Sequence, residues 1–297
     1  MCSIAGAKTK NETEVMLRLM KHRSPDDEQI YEGRSFSIGM GRLSIIDLKS
    51  EGLCLFNEDG YYVSFNGEIY NYVELRKELK RKGWKFITNW DIEVLLKSFI
   101  EWRHKCLDKF NGMFAFAIYD TNKQTIFLAR DIAGEKPLYF SYKPFKFASE
   151  AKALNWDCLE FPPAHFAYYH LGLKVWRMEK YWTPKHIKIY EPIEQLEDLL
   201  KDSIKLRTRS DVPYALYYSD GVDSSLISTF HKFKHKFTYK DGNYEKEFKK
   251  KFPKILWHLD YPITSFSPFG LWKLAEMAKK KVKVVISGEG ADELFGG

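Results

Sequence analysis

The strongest constraint on this fold is a change of pattern partway along the chain. Up to about residue 185, apolar strand-like runs follow one another through short turns. Tyr61-Tyr-Val-Ser-Phe65 ends at Asn66-Gly67, a pair that favours a tight turn. Met113–Tyr119 and Thr125–Ala129 read as buried strands joined over Asp120–Lys123. Pro137–Tyr142 and Lys146–Ser149 read as a hairpin closed by Lys143-Pro144. Two helical repeats interrupt them, Tyr72–Lys82 with Gly83 at its C-cap position, and Asp91–Arg103. Antiparallel sheets flanked by helices follow from this pattern. After a stretch punctuated by Pro184 and Pro192, strands and helices alternate: a helix over Ile193–Thr208, a strand over Tyr214–Tyr218, a helix over Ser224–Phe233 and a strand over Lys283–Ile286. Alternation predicts a parallel sheet. The chain therefore reads as an α/β multidomain protein with a boundary near residue 188.

Composition narrows the class. With 297 residues the chain can bury two cores, and 44% hydrophobic against 29% charged residues excludes a disordered chain. No apolar run approaches a membrane span, and Met-Cys-Ser-Ile-Ala-Gly-Ala-Lys lacks the layout of a signal peptide. Cys2, Cys54, Cys106 and Cys158 show no paired spacing, so neither a zinc site nor a disulfide framework is expected, and a reducing cytoplasm fits. The net charge is +7, with lysines gathered between 232 and 251 and at Lys279, Lys280, Lys281 and Lys283. Solvated helix faces account for them; no aromatic-basic alternation points to nucleic acid, and no membrane partner is expected.

Two constellations carry chemistry. Cys2 follows Met1 directly. Once Met1 is removed, one residue holds a thiol and a free α-amine, and an amine titrating near pH 8 can take the thiol proton. Asn66, Gly67 and Glu68 end a strand where an amide side chain and a backbone N–H can converge on an oxyanion. Arg42 and Asp91 supply the two signs of charge that an amino-acid substrate needs. Far downstream lies Ser219-Asp220-Gly221-Val222-Asp223-Ser224-Ser225, a strand-loop-helix of phosphate-binding type. Backbone N–H groups at the helix start attract phosphate, and Asp223, Ser224 and Ser225 suit that position.

Whole phrases add to these pieces. Met-Cys-Ser-Ile-Ala-Gly, His22-Arg-Ser-Pro-Asp-Asp27, Arg42-Leu-Ser-Ile-Ile-Asp-Leu48, Phe65-Asn-Gly-Glu-Ile-Tyr-Asn71, Asp91-Ile-Glu-Val-Leu-Leu96, Leu128-Ala-Arg-Asp131, Lys136-Pro-Leu-Tyr139 and Phe147-Ala-Ser-Glu150 occur in order. This region resembles the glutaminase domain of glutamine-hydrolysing asparagine synthetases, which are N-terminal-nucleophile amidotransferases. The resemblance implies a four-layer αββα sandwich over 1–188 and a partial ATP-pyrophosphatase domain over 189–297. It implies that Cys2 attacks the glutamine amide and that Asn66 and Gly67 form the oxyanion hole. Arg42 would take the α-carboxylate, Glu68 and Asp91 would hold the α-ammonium, and Leu43, Ser44, Ile45 and Ile46 would line the pocket. In the second domain, Ser219, Gly221, Asp223, Ser224 and Ser225 would bind the pyrophosphate of ATP. Tyr218, Tyr239, Ser287 and Gly288 would hold ATP, Glu289 would assist formation of an aspartyl-adenylate, and Asp223 and Asp292 would meet Mg²⁺. Glutamine, aspartate and ATP are the implied substrates, with a homodimer or a partner chain as a possibility.

The sequence departs from the family at named places. Ser24 stands where a glycine is usual in His-Arg-Gly-Pro-Asp. Asp220 replaces the first glycine of Ser-Gly-Gly-x-Asp-Ser-Ser, and a carboxylate beside polyphosphate is repelled unless a metal bridges them. The stretch Phe237–Pro262 reads as short, without the usual helix ahead of Leu259-Asp260-Tyr261-Pro262. The family continues past the equivalent of Gly297 with a helical region that supplies a catalytic lysine and much of the aspartate pocket, so the synthetase domain is expected to be truncated. Complete asparagine synthesis, a glutaminase feeding ammonia to a partner chain, and a non-catalytic binder of glutamine or ATP are the readings these features allow. Amidotransferases that make glucosamine phosphate or purine precursors share the cysteine logic but lack the Ser-x-Gly-x-Asp-Ser-Ser loop.

Overall fold

The computed structural model describes residues 1–50, 55–185, 192–240, 242, 244–263 and 265–296. The chain divides into two compact units, Met1–His186 and Ile187–Gly297. The boundary expected near residue 188 lies outside the described residues.

In the first unit the chain runs β1 (Ser3–Ala7), α1 (Lys10–Leu19), β2 (Asp27–Glu32), β3 (Ser37–Arg42), β4 (Phe56–Glu58), β5 (Tyr61–Ile69), α2 (Tyr72–Arg81) and α3 (Asp91–Trp102). It continues through β6 (Gly112–Asp120), β7 (Thr125–Arg130), β8 (Tyr139–Tyr142), β9 (Phe145–Ala148), β10 (Leu159–Glu160), β11 (His165–His170) and β12 (Val175–Lys180). The strands form two six-stranded sheets, ordered β10-β8-β9-β1-β3-β2 and β12-β11-β7-β6-β5-β4, with every pairing antiparallel. β1 and β3 pack on β5, α1 covers the outer face of β1 and β3, and α3 covers β4 and β5. The layers are helix, sheet, sheet, helix, as the resemblance implies.

Side-chain size explains the layering. β1 is buried along its whole length. Ile4 faces the inter-sheet core with Val63, Phe65, Phe116 and Phe127, while Ala5 and Ala7 meet Met16, Leu17 and Met20 of α1. The small residues let the helix lie close, and the large ones fill the space between sheets. α1 starts at a capping box in which the Thr9 hydroxyl accepts from the Glu12 N–H and Glu12 accepts from the Thr9 N–H.

One expectation is corrected here. Asn66-Gly67 does not end a strand: β5 runs through it to Ile69, with Gly67 opposite Phe114 and Glu68 opposite Met113. Glycine is needed there for close approach, since a β-carbon on Gly67 would lie 2.1 Å from the Met113 carbonyl oxygen. Gly112 answers it across the ladder, where a β-carbon would lie 2.2 Å from the Glu68 carbonyl oxygen.

The second unit runs α4 (Pro192–Arg207), β13 (Tyr214–Tyr217), α5 (Val222–Phe230), β14 (Lys236–Phe237), α6 (Glu245–Leu259), α7 (Ser267–Ala278), β15 (Val284–Ile286) and α8 (Ala291–Phe295). Its three strands make the expected parallel sheet, ordered β14-β13-β15. A helix does precede Leu259–Pro262, against expectation: α6 is 15 residues long. Its lysines mask the apolar spacing Phe248, Phe252, Ile255. Phe248 packs on Phe266 and Phe269 at 4.8 and 5.5 Å between ring centres, and Lys251–Glu276 and Lys273–Glu247 ion pairs tie α6 to α7. Pro253 removes one helical N–H donor without ending the helix.

Candidate functional site

The first site grows from the end of β1. The Leu43 N–H points to the Cys2 Sγ at 3.5 Å. Burial pushes the Cys2 thiol up, and the Glu68 and Asp91 carboxylates add to that push, while the adjacent N-terminal amine opposes it. In the full chain the nitrogen of Cys2 is an amide, and the free amine belongs to Met1. That amine is pushed down to about 5, by burial first; the cations Arg23 and Lys136 add to the effect, and Cys2 and Glu68 oppose it. The chamber around Cys2 therefore favours a neutral amine, the form that can accept a proton.

Asn66 is wholly buried, and neither its Oδ1 nor its Nδ2 has a hydrogen-bond partner. A buried amide with both ends idle is costly unless a ligand or water completes it. Asp91 Oδ1 is idle as well, while its Oδ2 accepts the Ile69 N–H at 2.8 Å. Burial raises the carboxyls of both Glu68 and Asp91, and for Glu68 the charge of Asp91 raises it further. Two such groups share one proton near neutrality. Asp91 also accepts from Ile69 and begins α3, where backbone N–H groups favour a carboxylate and work against the effect of burial. An incoming ammonium could replace that proton.

Arg42 is already engaged within its own loop. It is 1% exposed, lies 3.8 Å above the Trp90 ring, and donates to the carbonyls of Ser50, Ile46 and Asp47 at 2.7, 2.9 and 2.7 Å. Its guanidinium shapes the 46–50 loop, which leaves at most two of about five N–H donors for a carboxylate. Of the lining residues, Leu43 reaches Cys2, the Ser44 N–H donates to Asp26, Ile45 packs against the core and Ile46 offers its carbonyl to Arg42.

Several residues without an assigned role support the nucleophile. Arg23 donates through Nε to the Cys2 carbonyl at 3.1 Å and pairs with Glu150 at 2.9 Å. Burial would raise the Glu150 carboxyl, but His22, Arg23 and Lys152 together hold it at about 2. The Ser24 hydroxyl pairs with the Ser3 hydroxyl at 2.8 Å, filling the space beside Gly41, so the departure at Ser24 is accommodated behind the nucleophile. Lys136 reaches in from the far side. All four sit in phrases with an evident order along the chain, yet nothing in their spacing marks them for the site.

The second site lies at the carboxyl ends of β13 and β15, where an open α/β sheet receives ligands. A cavity of about 370 Å³ is lined by Tyr218, Ser219, Asp223, Ser224, Tyr239, Ser287, Gly288, Glu289 and Asp292 among others. Of the residues expected around a nucleotide, Gly221 and Ser225 stand outside the lining. Ser225 lies 3.4 Å from the Tyr218 hydroxyl instead. The Ser219 N–H donates to the Ser224 hydroxyl at 3.1 Å, and a β-carbon on Gly288 would lie 2.7 Å from that of Asp223, so the two loops close on each other tightly. Asp220 holds φ +60, a conformation that glycine adopts freely and aspartate at some cost. No group of three or more His, Cys, Asp or Glu among the described residues is placed to hold a metal. Asp223 and Asp292 both line this cavity.

Similarity to known proteins extends over both units. A family model described as a glutamine amidotransferase domain matches residues 1–212, and one described as asparagine synthase matches 195–241 and 243–297. The whole chain aligns at 32% identity with asparagine synthetase [glutamine-hydrolyzing] 1 of Bacillus subtilis, of which it spans 59%. A relative from Methanocaldococcus jannaschii that carries an asparagine synthetase name is 32% identical over 97% of this chain and 72% of its own length. The fold matches the glutamine phosphoribosylpyrophosphate amidotransferase of B. subtilis with a TM-score of 0.54 at 15% identity, over 83% of this chain and 70% of that one. No described helix is long and apolar enough to cross a membrane. The family-model matches and the sequence identity to these relatives place the chain in the family of glutamine-hydrolysing asparagine synthetases.

Proposed function

We propose that residues 1–188 release ammonia from glutamine, and that residues 189–297 belong to the site where ATP adenylates aspartate before ammonia displaces AMP to give asparagine. The observation that carries the first part is the amide of buried Asn66 on β5, which has no hydrogen-bond partner among the described residues. As the Cys2 sulfur bonds to the glutamine amide carbon, its proton passes to the α-amine freed by Met1 removal. The Asn66 amide and the Gly67 N–H take the oxyanion. The C–N bond breaks, the amine returns the proton to the departing ammonia, and water hydrolyses the thioester to glutamate. Glu68 and Asp91 hold the substrate ammonium, and the remaining donors of Arg42 take its carboxylate.

In the second unit Ser219, Gly221, Ser224, Ser225 and the start of α5 would receive the phosphates, with Tyr218, Tyr239, Ser287 and Gly288 around the nucleotide. Glu289 would assist adenylation. Mg²⁺ held by Asp223 and Asp292 would neutralise phosphate charge.

Asp220 favours a second reading. A carboxylate at the tip of the phosphate loop weakens polyphosphate binding. The chain would then act as a glutaminase that passes ammonia to a partner chain or to a second subunit. Ammonium release from glutamine, wild type beside Cys2→Ala, with AMP measured in the same tubes containing ATP, Mg²⁺ and aspartate, separates the readings. Both products support the synthetase, and Cys2-dependent ammonium alone supports the glutaminase. Neither product from protein lacking Met1 would leave only a binder of glutamine or ATP.

A further inference from the structure

Lys136 is a buried cation: burial opposes its protonated form, while the charges of the nearby Glu135, Glu68 and Asp131 carboxylates favour it. It is 8% exposed, and the one polar contact of its ammonium among the described residues is the Met1 thioether, at 3.7 Å. Its placement is firmly built. The Asp131 carboxylate accepts four backbone N–H groups, from Phe114, Ala133, Glu135 and Lys136, at 3.0–3.1 Å. Arg130 clamps the same loop from the other side, donating to the carbonyls of Lys136 and Gly134 at 2.7 and 2.8 Å. The loop can hardly turn this side chain outward. A second cation meets the same sulfur: Arg23 reaches the Met1 thioether at 3.8 Å while holding the Cys2 carbonyl. Removal of Met1 takes away the sulfur that both cations touch, next to Cys2 in the chain.

Resting on the glutaminase reading above, we propose that Lys136 is a positioning residue for that reaction: with Arg23 it forms a cationic wall beside the freed α-amine of Cys2 and keeps that amine neutral and ready to accept the thiol proton. Six charged groups act there: Arg23 from the turn after α1, Lys136, Glu135 and Asp131 from the 131–136 loop, Glu68 on β5 and Asp91 at the start of α3. Of these the carboxylates favour a protonated amine and the cations oppose it. On the Met1 amine burial is the largest downward influence, Arg23 and Lys136 add to it, and Cys2 and Glu68 oppose it. Charge-neutral Lys136→Met would let the amine hold its proton to higher pH. The thiolate would lose a favourable neighbour, so its titration would move the same way.

The test uses full-length protein shown by mass to lack Met1, as wild type, Lys136→Met and Lys136→Arg. Two profiles against pH are recorded for each: ammonium release from glutamine, and alkylation of Cys2 by iodoacetamide, which needs no turnover. The expected result is that both acid limbs of Lys136→Met move up by roughly one pH unit or more, and that Lys136→Arg restores them. An alkylation limb that stays in place in Lys136→Met overturns the proposal, even where ammonium release falls at every pH. An alkylation limb that shifts in Lys136→Met, in a protein whose wild type releases no ammonium, would uphold Lys136 while removing the glutaminase reading.

Discussion

The two units solve the problem of holding charge in opposite ways. In the first, Asn66 and Asp91 are 0% exposed and Arg42 1%, while Cys2, Gly67 and Glu68 are half-buried. In the second, Glu289 and Asp292 line an open cavity from exposed positions, and apolar Val222 and Leu294 stand 83% and 78% exposed close by in sequence. A sealed site can hold idle hydrogen-bonding atoms and strained titrations in place before substrate arrives, because two sheets and two helix layers surround it. An open site depends on what binds it. The first unit is thus preorganised, and the second is a platform.

The largest expected effect breaks the two apart. Cys2→Ala abolishes ammonium release from glutamine, while AMP formation supplied with free ammonium stays at its wild-type level; a loss of both would mean that the units do not act separately. Next, Asn66→Ala lowers kcat for glutamine hydrolysis by about 10²–10³-fold with a smaller change in KM, as for the loss of one oxyanion donor. A change confined to KM would remove Asn66 from the oxyanion hole.

Asp91→Asn sharpens what sealing costs. Burial raises the Asp91 carboxyl to about 7. An unfolded aspartate titrates near 4. The proton-bound form therefore supports the fold below about pH 4, and that support is lost as pH rises toward 7 and beyond. Asp91→Asn cannot ionise, so at pH 8 its midpoint of thermal unfolding lies above wild type by roughly 3 °C or more, while glutamine KM rises. A lower midpoint would show that the charge is compensated in the empty protein. The smallest effect belongs to the platform: Asp220→Gly tightens ATP binding by about tenfold, measured by calorimetry with Mg²⁺ present. An unchanged affinity would show that Asp220 faces away from the phosphates.

How much of this was legible depends on whether the signal was local. The layered first unit follows from hairpin spacing and apolar runs, and the parallel sheet of the second follows from alternation. Cys2 and the Ser219–Ser225 loop stand out because their chemistry is contained in neighbouring residues. Asn66-Gly67 misleads because its glycine answers a carbonyl 46 positions away, at Met113, and no local rule carries that information. α6 hides behind its lysines, since their charged ends outweigh the apolar spacing beneath. Arg42 reads as a free substrate-binding cation, but three loop carbonyls claim it. Lys136 lies in a recognisable phrase, yet its burial against the Met1 thioether arises only when the loop after β7 meets the start of the chain.

The position of β1 has one more consequence. It lies inside its sheet between β3 and β9, with α1 on one face and the second sheet on the other. Segments at edges and tips open through small local fluctuations, whereas such an interior strand is released only by opening most of the unit. The amides of Ile4 and Ala5 are then among the slowest to exchange with deuterium. Cys2, though second in the chain, would not fray like an ordinary terminus: heat would silence it in step with global melting of its unit and not before.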